Sequence, residues 1–176
     1  MPFFIEGLSQ GEKVYHIIDS QHFDRHLGSM AEYGINVQKE SERGALEVRV
    51  WEEAYFQDGY FNPDRMLQIL EEVVQSTRKA GFPMMRLMGN MEWANKDVPG
   101  VERLVEYEAR INHISPRFPD PLICVYDLNQ HSARTVMNIL RAHPMILVGG
   151  VLQENPLYIP PDELLKQVCS HQYVTN

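Results

Sequence analysis

The chain has 176 residues, 44% of them hydrophobic and 23% charged, with a formal net charge of −8. That is the size and composition of one globular domain with a substantial core, not of a disordered segment. The acidic balance, with no basic run, excludes a surface built to bind nucleic acid directly. No stretch approaches the ~18 apolar residues that span a bilayer, and no secretory leader is visible, so a cytoplasmic protein without a membrane partner is expected.

In chain order, Phe3 to Gly11 reads as the end of a helix closed by glycine, followed by a strand from Lys13 to Asp19. Gly7 and Gly11-Glu12-Lys13 resemble a phosphate-binding loop only superficially. The spacing is one residue short, no Ser/Thr follows the lysine, and a strand comes next where a helix should open. Asp19-Ser20 starts a helix with Phe23, Leu27, Met30 and Ala31 inward, ending at Gly34. His22 and His26 lie one turn apart on its polar face and are expected in solvent; no further ligands accompany them, and no metal site is expected.

A short polar segment (Asn36 to Arg43) leads to a strand, Leu46 to Trp51, and then to a loop rich in aromatics (Tyr55, Phe56, Tyr60, Phe61). Asn62-Pro63-Asp64 opens a long amphipathic helix with Met66, Leu67, Leu70, Val73 and Val74 inward. Gly81-Phe82-Pro83 delivers the chain to an apolar strand, Met84 to Trp93. Period 2 puts Met84, Arg86, Met88, Asn90 and Glu92 on one face, and Met85, Leu87, Gly89, Met91 and Trp93 on the other. A helix from Val101 to Ile114 follows, in which Glu108 and Asn112 fall inside the apolar stripe of Val101, Leu104, Val105 and Ile111. After a Pro-rich turn come a buried strand (Leu122 to Tyr126) ending at Asp127, a helix from Ser132 to Ala142, and a strand from Met145 to Val148 broken by Gly149-Gly150. A tail with a last helix near Asp162 to Val168 closes the chain. Cys124 is read as a reduced core thiol, and Cys169 has no paired spacing to it.

Strands alternating with helices imply an α/β fold: a mostly parallel central sheet with helices on both faces. Strand-end carboxylates (Asp19, Glu52, Glu92, Asp127) then gather at one edge, where they serve a cation, acid/base chemistry or, for Asp19 and Asp127, simple helix capping. Glu92 and Glu108, joined by only seven residues (Ala94 to Gly100), are expected to form the polar centre of a site. Two buried carboxylates need a compensating group: Arg86, a metal, a shared proton or a ligand. Arg110 pairs more naturally with Glu106. The methionines Met84, Met85, Met88 and Met91 beside Trp93 suit an adaptable apolar wall.

Several ordered motifs resemble one family. They are Gly89-Asn90-Met91-Glu92-Trp93-Ala94, then Pro99-Gly100, then Leu104-Val105-Glu106-Tyr107-Glu108-Ala109-Arg110-Ile111-Asn112. Asp58-Gly59, Asp64-Arg65-Met66, Cys124-Val125-Tyr126-Asp127, Leu140-Arg141-Ala142-His143-Pro144, Gly149-Gly150, Glu154-Asn155-Pro156 and Ile159-Pro160-Pro161 also match. Together, from about Phe3 to about Gln167, they resemble the methanogen/methylotroph, DcmR-like sensory (MEDS) domains. The resemblance implies a RecA/KaiC-like core without a phosphate loop. It further implies a non-enzymatic sensor of hydrocarbon derivatives or related small molecules, signalling to kinase, anti-sigma or DNA-binding modules. Arg86, Asn90, Glu92, Trp93, Tyr107, Glu108, Asn112, Asp127 and His143 are the candidate ligand-binding residues; no cofactor is indicated. Family members usually begin with a further strand carrying a His-x-Cys-like segment, whereas this chain starts inside the first helix. An uncovered sheet edge, hence self-association, and a partner module acting in trans are expected. Two other readings stand beside the sensor. One is an enzyme using the strand-end carboxylates with His143, against which no nucleophile motif, ligand spacing or cofactor loop is present. The other is a degenerate nucleotide binder.

Overall fold

A computed structural model describes residues 1–56, 58–114 and 117–172, with side chains through Val168. The helix α1 (Pro2–Ser9) precedes the strand β1 (Lys13–Ile18), and α2 (Phe23–Glu32) and α3 (Val37–Glu42) lead to β2 (Leu46–Val50). The one-turn α4 (Trp51–Ala54) and the long α5 (Pro63–Lys79) lead to β3 (Met85–Asn90). Then come α6 (Leu104–Ile114), β4 (Leu122–Val125) and α7 (Ala133–Ala142). A hairpin of β5 (Met145–Val148) and β6 (Val151–Glu154) and the helix α8 (Pro161–Gln172) complete the chain.

The first four strands form a parallel sheet in the order β2-β1-β3-β4. Alternation decides what each face meets. Val14 of β1 and Leu46 of β2 pack with Phe4, Met30 and Ile35 beneath α1 and α2. Tyr15 and Ile17 of β1 with Met85 and Leu87 of β3 pack on the other face, against Met66, Leu70 and Val74 of α5 and Leu104, Tyr107 and Ile111 of α6. A third cluster, Ala109, Ala142 and Leu164, seats α8 on α6 and α7.

Helix starts follow their capping chemistry. The Asn62 side chain accepts N–H bonds from Asp64 and Arg65 at 3.0 and 3.3 Å ahead of Pro63, and the Ser132 hydroxyl accepts from the Thr135 N–H at 3.1 Å. The short polar segment Asn36 to Arg43, to which the sequence reading assigns no element, holds the helix α3. Its Asn36 cap accepts from the Lys39 N–H at 3.0 Å, and none of its residues is fully buried, so no apolar period marks it.

Further features correct or refine what the sequence implies. Regular β3 stops at Asn90, not at Trp93: the backbone turns at Met91, and a 3-10 turn, Glu92–Asn95, follows. The turn carries the fully buried Trp93 indole against Tyr55, Phe56 and Phe61, with ring centroids 4.9, 5.2 and 4.6 Å away. Alternation also splits the methionines: Met85 and Met91 enter the larger core, whereas Met88 packs beneath α1 and α2. Finally, β4 is a half-buried edge strand, and β5 does not extend the sheet. It pairs antiparallel with β6 through Gly149-Gly150, both at positive φ (58° and 82°), which suits a two-residue hairpin turn. Its apolar residues stay exposed, Leu147 at 58% and Leu152 at 66%.

Candidate functional site

In the strand order β2-β1-β3-β4, the chain leaves β1 toward β2 and leaves β3 toward β4, in opposite directions. The crevice at the carboxyl ends of β1 and β3 is therefore the topological switch point, where open α/β sheets place ligands. Asp19, Asn90 and Glu92 lie there. Asp19 is occupied as a cap, accepting from the Gln21 N–H at 2.9 Å, with the Lys96 ammonium 3.9 Å away. Glu52 accepts from the Ser20 hydroxyl at 3.0 Å, and Asp127 accepts from the Asn129 and Gln130 side chains and the Asn129 N–H. The Asn129 N–H, followed by the Gln130 amide, holds the Asp127 carboxyl below its usual range. The acidic ring expected at this edge is thus divided among local caps and turns.

Glu92 behaves differently. It ends a relay of side chains that runs from α2 along the sheet face beneath it to the end of β3. His26 Nε2 meets His16 Nδ1 at 2.9 Å, His16 Nε2 meets Asn90 Oδ1 at 3.2 Å, and Asn90 Nδ2 donates to Glu92 Oε1 at 3.3 Å. The hydrogen bonds are consistent throughout if His16 carries its proton on Nε2 and accepts from His26. His26, expected in solvent, is half-buried by this contact, while His22 remains exposed. The second oxygen of Glu92 is buried without a partner among the described residues. So is Nδ1 of His131, whose Nε2 faces the Asn95 amide nitrogen at 3.3 Å on the turn that Glu92 opens. Burial lowers the His131 pKa, opposed by the charges of Asp127 and Glu92. A neutral His131 that accepts from Asn95 at Nε2 carries its proton on Nδ1. One orphan acceptor, Glu92 Oε2, therefore lies at this crevice. Among the described residues the orphan donors of the region are His131 Nδ1, Trp93 Nε1 and Trp51 Nε1, with the His131 ring 5.2 Å from that of Tyr126, on the β4 side of β3.

A second polar cluster is centred on Glu108, which is 1% exposed. Its Oε1 accepts from the Tyr126 hydroxyl in a short hydrogen bond; its Oε2 lies 3.5 Å from Cys124 Sγ and 3.4 Å from His143 Nε2. His143 Nδ1 donates to the Ile139 carbonyl at 2.8 Å. Burial alone would lower the His143 pKa, but the adjacent Glu108 carboxylate and the Ile139 carbonyl raise it to about 9. Burial also pushes the Cys124 thiol and the Tyr126 phenol up, Glu108 adding to both. Asn112 braces this arrangement: its amide donates to Ala142 O at 2.6 Å and to Glu108 O at 3.0 Å, fixing the end of α7 against α6. Asn155 supports the same end through Leu140 O and His143 O. One turn along α6 and two residues back on β4, Ile111 and Leu122 help to line an apolar cavity of about 40 Å³ with Leu70, Val74, Leu87 and Phe118.

The remaining expected site residues lie elsewhere. Arg86 does not compensate Glu108. It sits on the opposite face of β3, donating to Glu12 at 2.5 Å, to Glu6 at 2.6 Å and to the Phe3 carbonyl at 3.1 Å. Alternation requires this, because Arg86 is an odd number of residues from Leu87 and Gly89. Among the described residues Glu92 and Glu108 share no hydrogen-bond partner, Glu92 Oε1 accepting from Asn90 and Glu108 Oε1 from Tyr126. The single polar centre expected from sequence is thus divided between two sets of partners, which approach each other where the Tyr126 and His131 rings stand 5.2 Å apart. Trp93 and Tyr107 are core residues stacked through Phe61. Arg110 pairs with Glu106 at 3.0 Å, as expected, and also with Asp64 at 2.6 Å. Sequence reasoning missed His16, Cys124, Tyr126 and His131. A histidine inside the run Val14-Tyr15-His16-Ile17-Ile18 was the available signal for the first; the others sit among apolar or turn residues that conceal them.

Among the described residues no helix is long and apolar enough to cross a membrane. The sequence profile of the family described as MEthanogen/methylotroph, DcmR Sensory domain matches residues 1–144, ending just before the β5–β6 hairpin. The transcriptional repressor DcmR of Methylorubrum extorquens is 32% identical over 83 residues, 47% of this chain and 31% of that protein. The chain thus aligns with about a third of that relative's length. Matched by this profile over residues 1–144, the chain belongs to the MEDS family of sensory domains.

Proposed function

We propose that this sensory domain reads a small hydroxylated hydrocarbon derivative in the crevice between β1 and β3 and passes its occupancy to a kinase, anti-sigma or DNA-binding module. The observation that carries the reading is the buried, unpartnered Glu92 Oε2 at the switch point, with the equally unpartnered His131 Nδ1 linked to the same turn through Asn95. Buried polar atoms without partners are uncommon and call for an occupant. A hydroxyl group donates to the carboxylate and keeps an acceptor for a donor such as the His131 Nδ1–H, whereas a carboxylate ligand would meet Glu92 as a like charge. The relay from Glu92 through Asn90 and His16 to His26 supports α2 as the surface that feels the ligand. The relationship to a transcriptional repressor supports transcription as the output.

The affinity is bounded by ligand size. At no more than about 1.5 kcal/mol per non-hydrogen atom, a two- to five-atom ligand gains at most about 3–7.5 kcal/mol, which bounds binding between millimolar and a few micromolar. The test is a two-dimensional amide NMR titration with methanol, ethanol, propanol and the matching carboxylates at millimolar concentration. Saturable shifts in residues 90–96 and at His131 with an alcohol, absent in Glu92→Leu and in His131→Phe, are expected. Shifts that do not saturate, or that persist in both variants, would refute the assignment.

A further inference from the structure

We infer that Glu108, Cys124 and His143 form a binding site for one divalent transition-metal ion of the zinc type, with a fourth coordination position left to a small exogenous ligand. One donor atom from each of these residues lies within 4.8 Å of the other two. In a tetrahedral site with metal–sulfur, metal–nitrogen and metal–oxygen bonds of about 2.3, 2.0–2.1 and 2.0–2.2 Å, neighbouring donors stand about 3.3–3.6 Å apart. Glu108 Oε2 lies 3.5 Å from Cys124 Sγ and 3.4 Å from His143 Nε2, so both pairs already have that spacing.

The outer groups are also arranged as a metal site requires. A ligating histidine is normally oriented by a hydrogen bond from its other ring nitrogen to a carbonyl or carboxylate, and a ligating carboxylate is itself hydrogen-bonded. His143 Nδ1 is held by the Ile139 carbonyl at 2.8 Å, which leaves Nε2 to face Glu108. The Tyr126 hydroxyl holds Oε1 of Glu108, and Oε2 is the oxygen turned toward the thiol and the imidazole. The elements are firm: Glu108 comes from the middle of α6, Cys124 from β4, and His143 from the end of α7 braced by Asn112 and Asn155. The Glu108 side chain is fully buried while that of His143 is 24% exposed, so an ion has a route in from the His143 side. Sulfur, imidazole and carboxylate together suit zinc, cobalt(II) or iron(II) in preference to magnesium or calcium. Three protein ligands are the number found where a metal keeps a position open.

This inference does not rest on the hydroxyl-ligand reading, which uses Glu92 and His131; the two sites approach where the His131 ring stands 5.2 Å from that of Tyr126. The experiment is titration of the reduced, chelator-treated full chain with cobalt(II), followed by optical absorption. The expected result is saturation at one equivalent, with the visible bands of a tetrahedral ion, a thiolate-to-cobalt charge-transfer band, and displacement by zinc. Cys124→Ser should remove the charge-transfer band, His143→Gln should weaken binding at least tenfold, and Tyr126→Phe should weaken it about 10–100-fold as an outer-shell change. Zinc should also slow alkylation of Cys124 in the unsubstituted protein, read at its own peptide so that Cys169 does not interfere; this measurement decides the question if a variant fails to fold. Absence of the charge-transfer band, its persistence in Cys124→Ser, or Cys124 alkylation unaffected by zinc would overturn the site.

Discussion

The imidazoles of His16 and His26 meet nitrogen to nitrogen at 2.9 Å, one on a central strand and the other on the helix that covers it. Only one proton fits between them, so charging both rings breaks the contact. Burial, followed by the His26 charge, lowers the His16 pKa from 6.5 to about 3, and burial lowers that of His26 as well. Because the folded value lies below the unfolded one, the stability involved is fully present above pH 6.5. It is lost as the pH falls from 6.5 toward 3. For His16 the slope is about 1.4 kcal/mol per pH unit, hence roughly 2 kcal/mol between pH 6.5 and 5. Urea unfolding at these two pH values should show that loss. His16→Phe, which keeps a ring beside Phe4, should flatten it; an unchanged slope in that variant would place the pH dependence elsewhere.

Much of this architecture is written in the sequence, and the exceptions have physical causes. The runs at β1, β2 and β3 combine apolar residues with clear turn signals, so their positions and the parallel sheet are legible. Trp93 is not, because strand alternation continues on paper through Met91, whereas the bulk of the indole draws the backbone into a turn toward Tyr55 and Phe61. The helix α3 is only six residues long and has a single apolar residue, Val37, so it gives no period. The hairpin strand β5 has the composition of a buried strand but lies exposed, and composition alone does not distinguish the two. Glu108 stands out as a carboxylate in an apolar stripe. Its partners do not, since Cys124 and Tyr126 also suit a plain core and His143 joins them only through folding.

Removing Glu108 tests how much that cluster contributes to the fold. Glu108→Ala leaves the Tyr126 hydroxyl and His143 without their buried acceptor and opens a void beside an existing cavity. Breaking a buried ion pair from one side costs about 3–5 kcal/mol. Denaturant unfolding near neutral pH should show a loss of that size. A loss below about 1 kcal/mol would mean that water solvates the cluster freely.

Gly100 fixes how the turn after Trp93 meets the aromatic segment before α5. Its φ is +91°, and a Cβ there would stand 2.1 Å from the Phe61 carbonyl oxygen, a backbone atom with little room to move. The neighbouring Phe61 N–H donates to the Pro99 carbonyl at 2.8 Å, holding the two segments together. Gly100→Ala combines a left-handed backbone penalty of about 1–2 kcal/mol with this clash. A loss of at least about 2 kcal/mol is expected. By contrast, Gly59→Ala also has a positive φ (77°) but meets nothing within 4 Å, and should cost only the backbone term. Equal losses in the two variants would remove the close approach as the cause.

Asn90 is the link through which the strand-end carboxylate and the paired histidines are joined. Asn90→Leu preserves approximate size but removes the acceptor for His16 Nε2 and the donor to Glu92 Oε1. A buried donor left without a partner costs about 1–3 kcal/mol, and His16 is 2% exposed, so a loss in that range is expected. The more specific consequence lies in the rings. Without the Asn90 carbonyl, His16 has no acceptor to hold its proton on Nε2. It is then free to place the proton on Nδ1 and donate to His26, reversing the hydrogen bond between them. Long-range nitrogen–proton NMR of the two imidazoles distinguishes these tautomers. In the unsubstituted protein His16 should carry its proton on Nε2, and in Asn90→Leu the Nδ1 form should appear. Identical tautomers in both proteins would show that Asn90 does not orient the pair, and that the strand end and α2 are not connected through this relay.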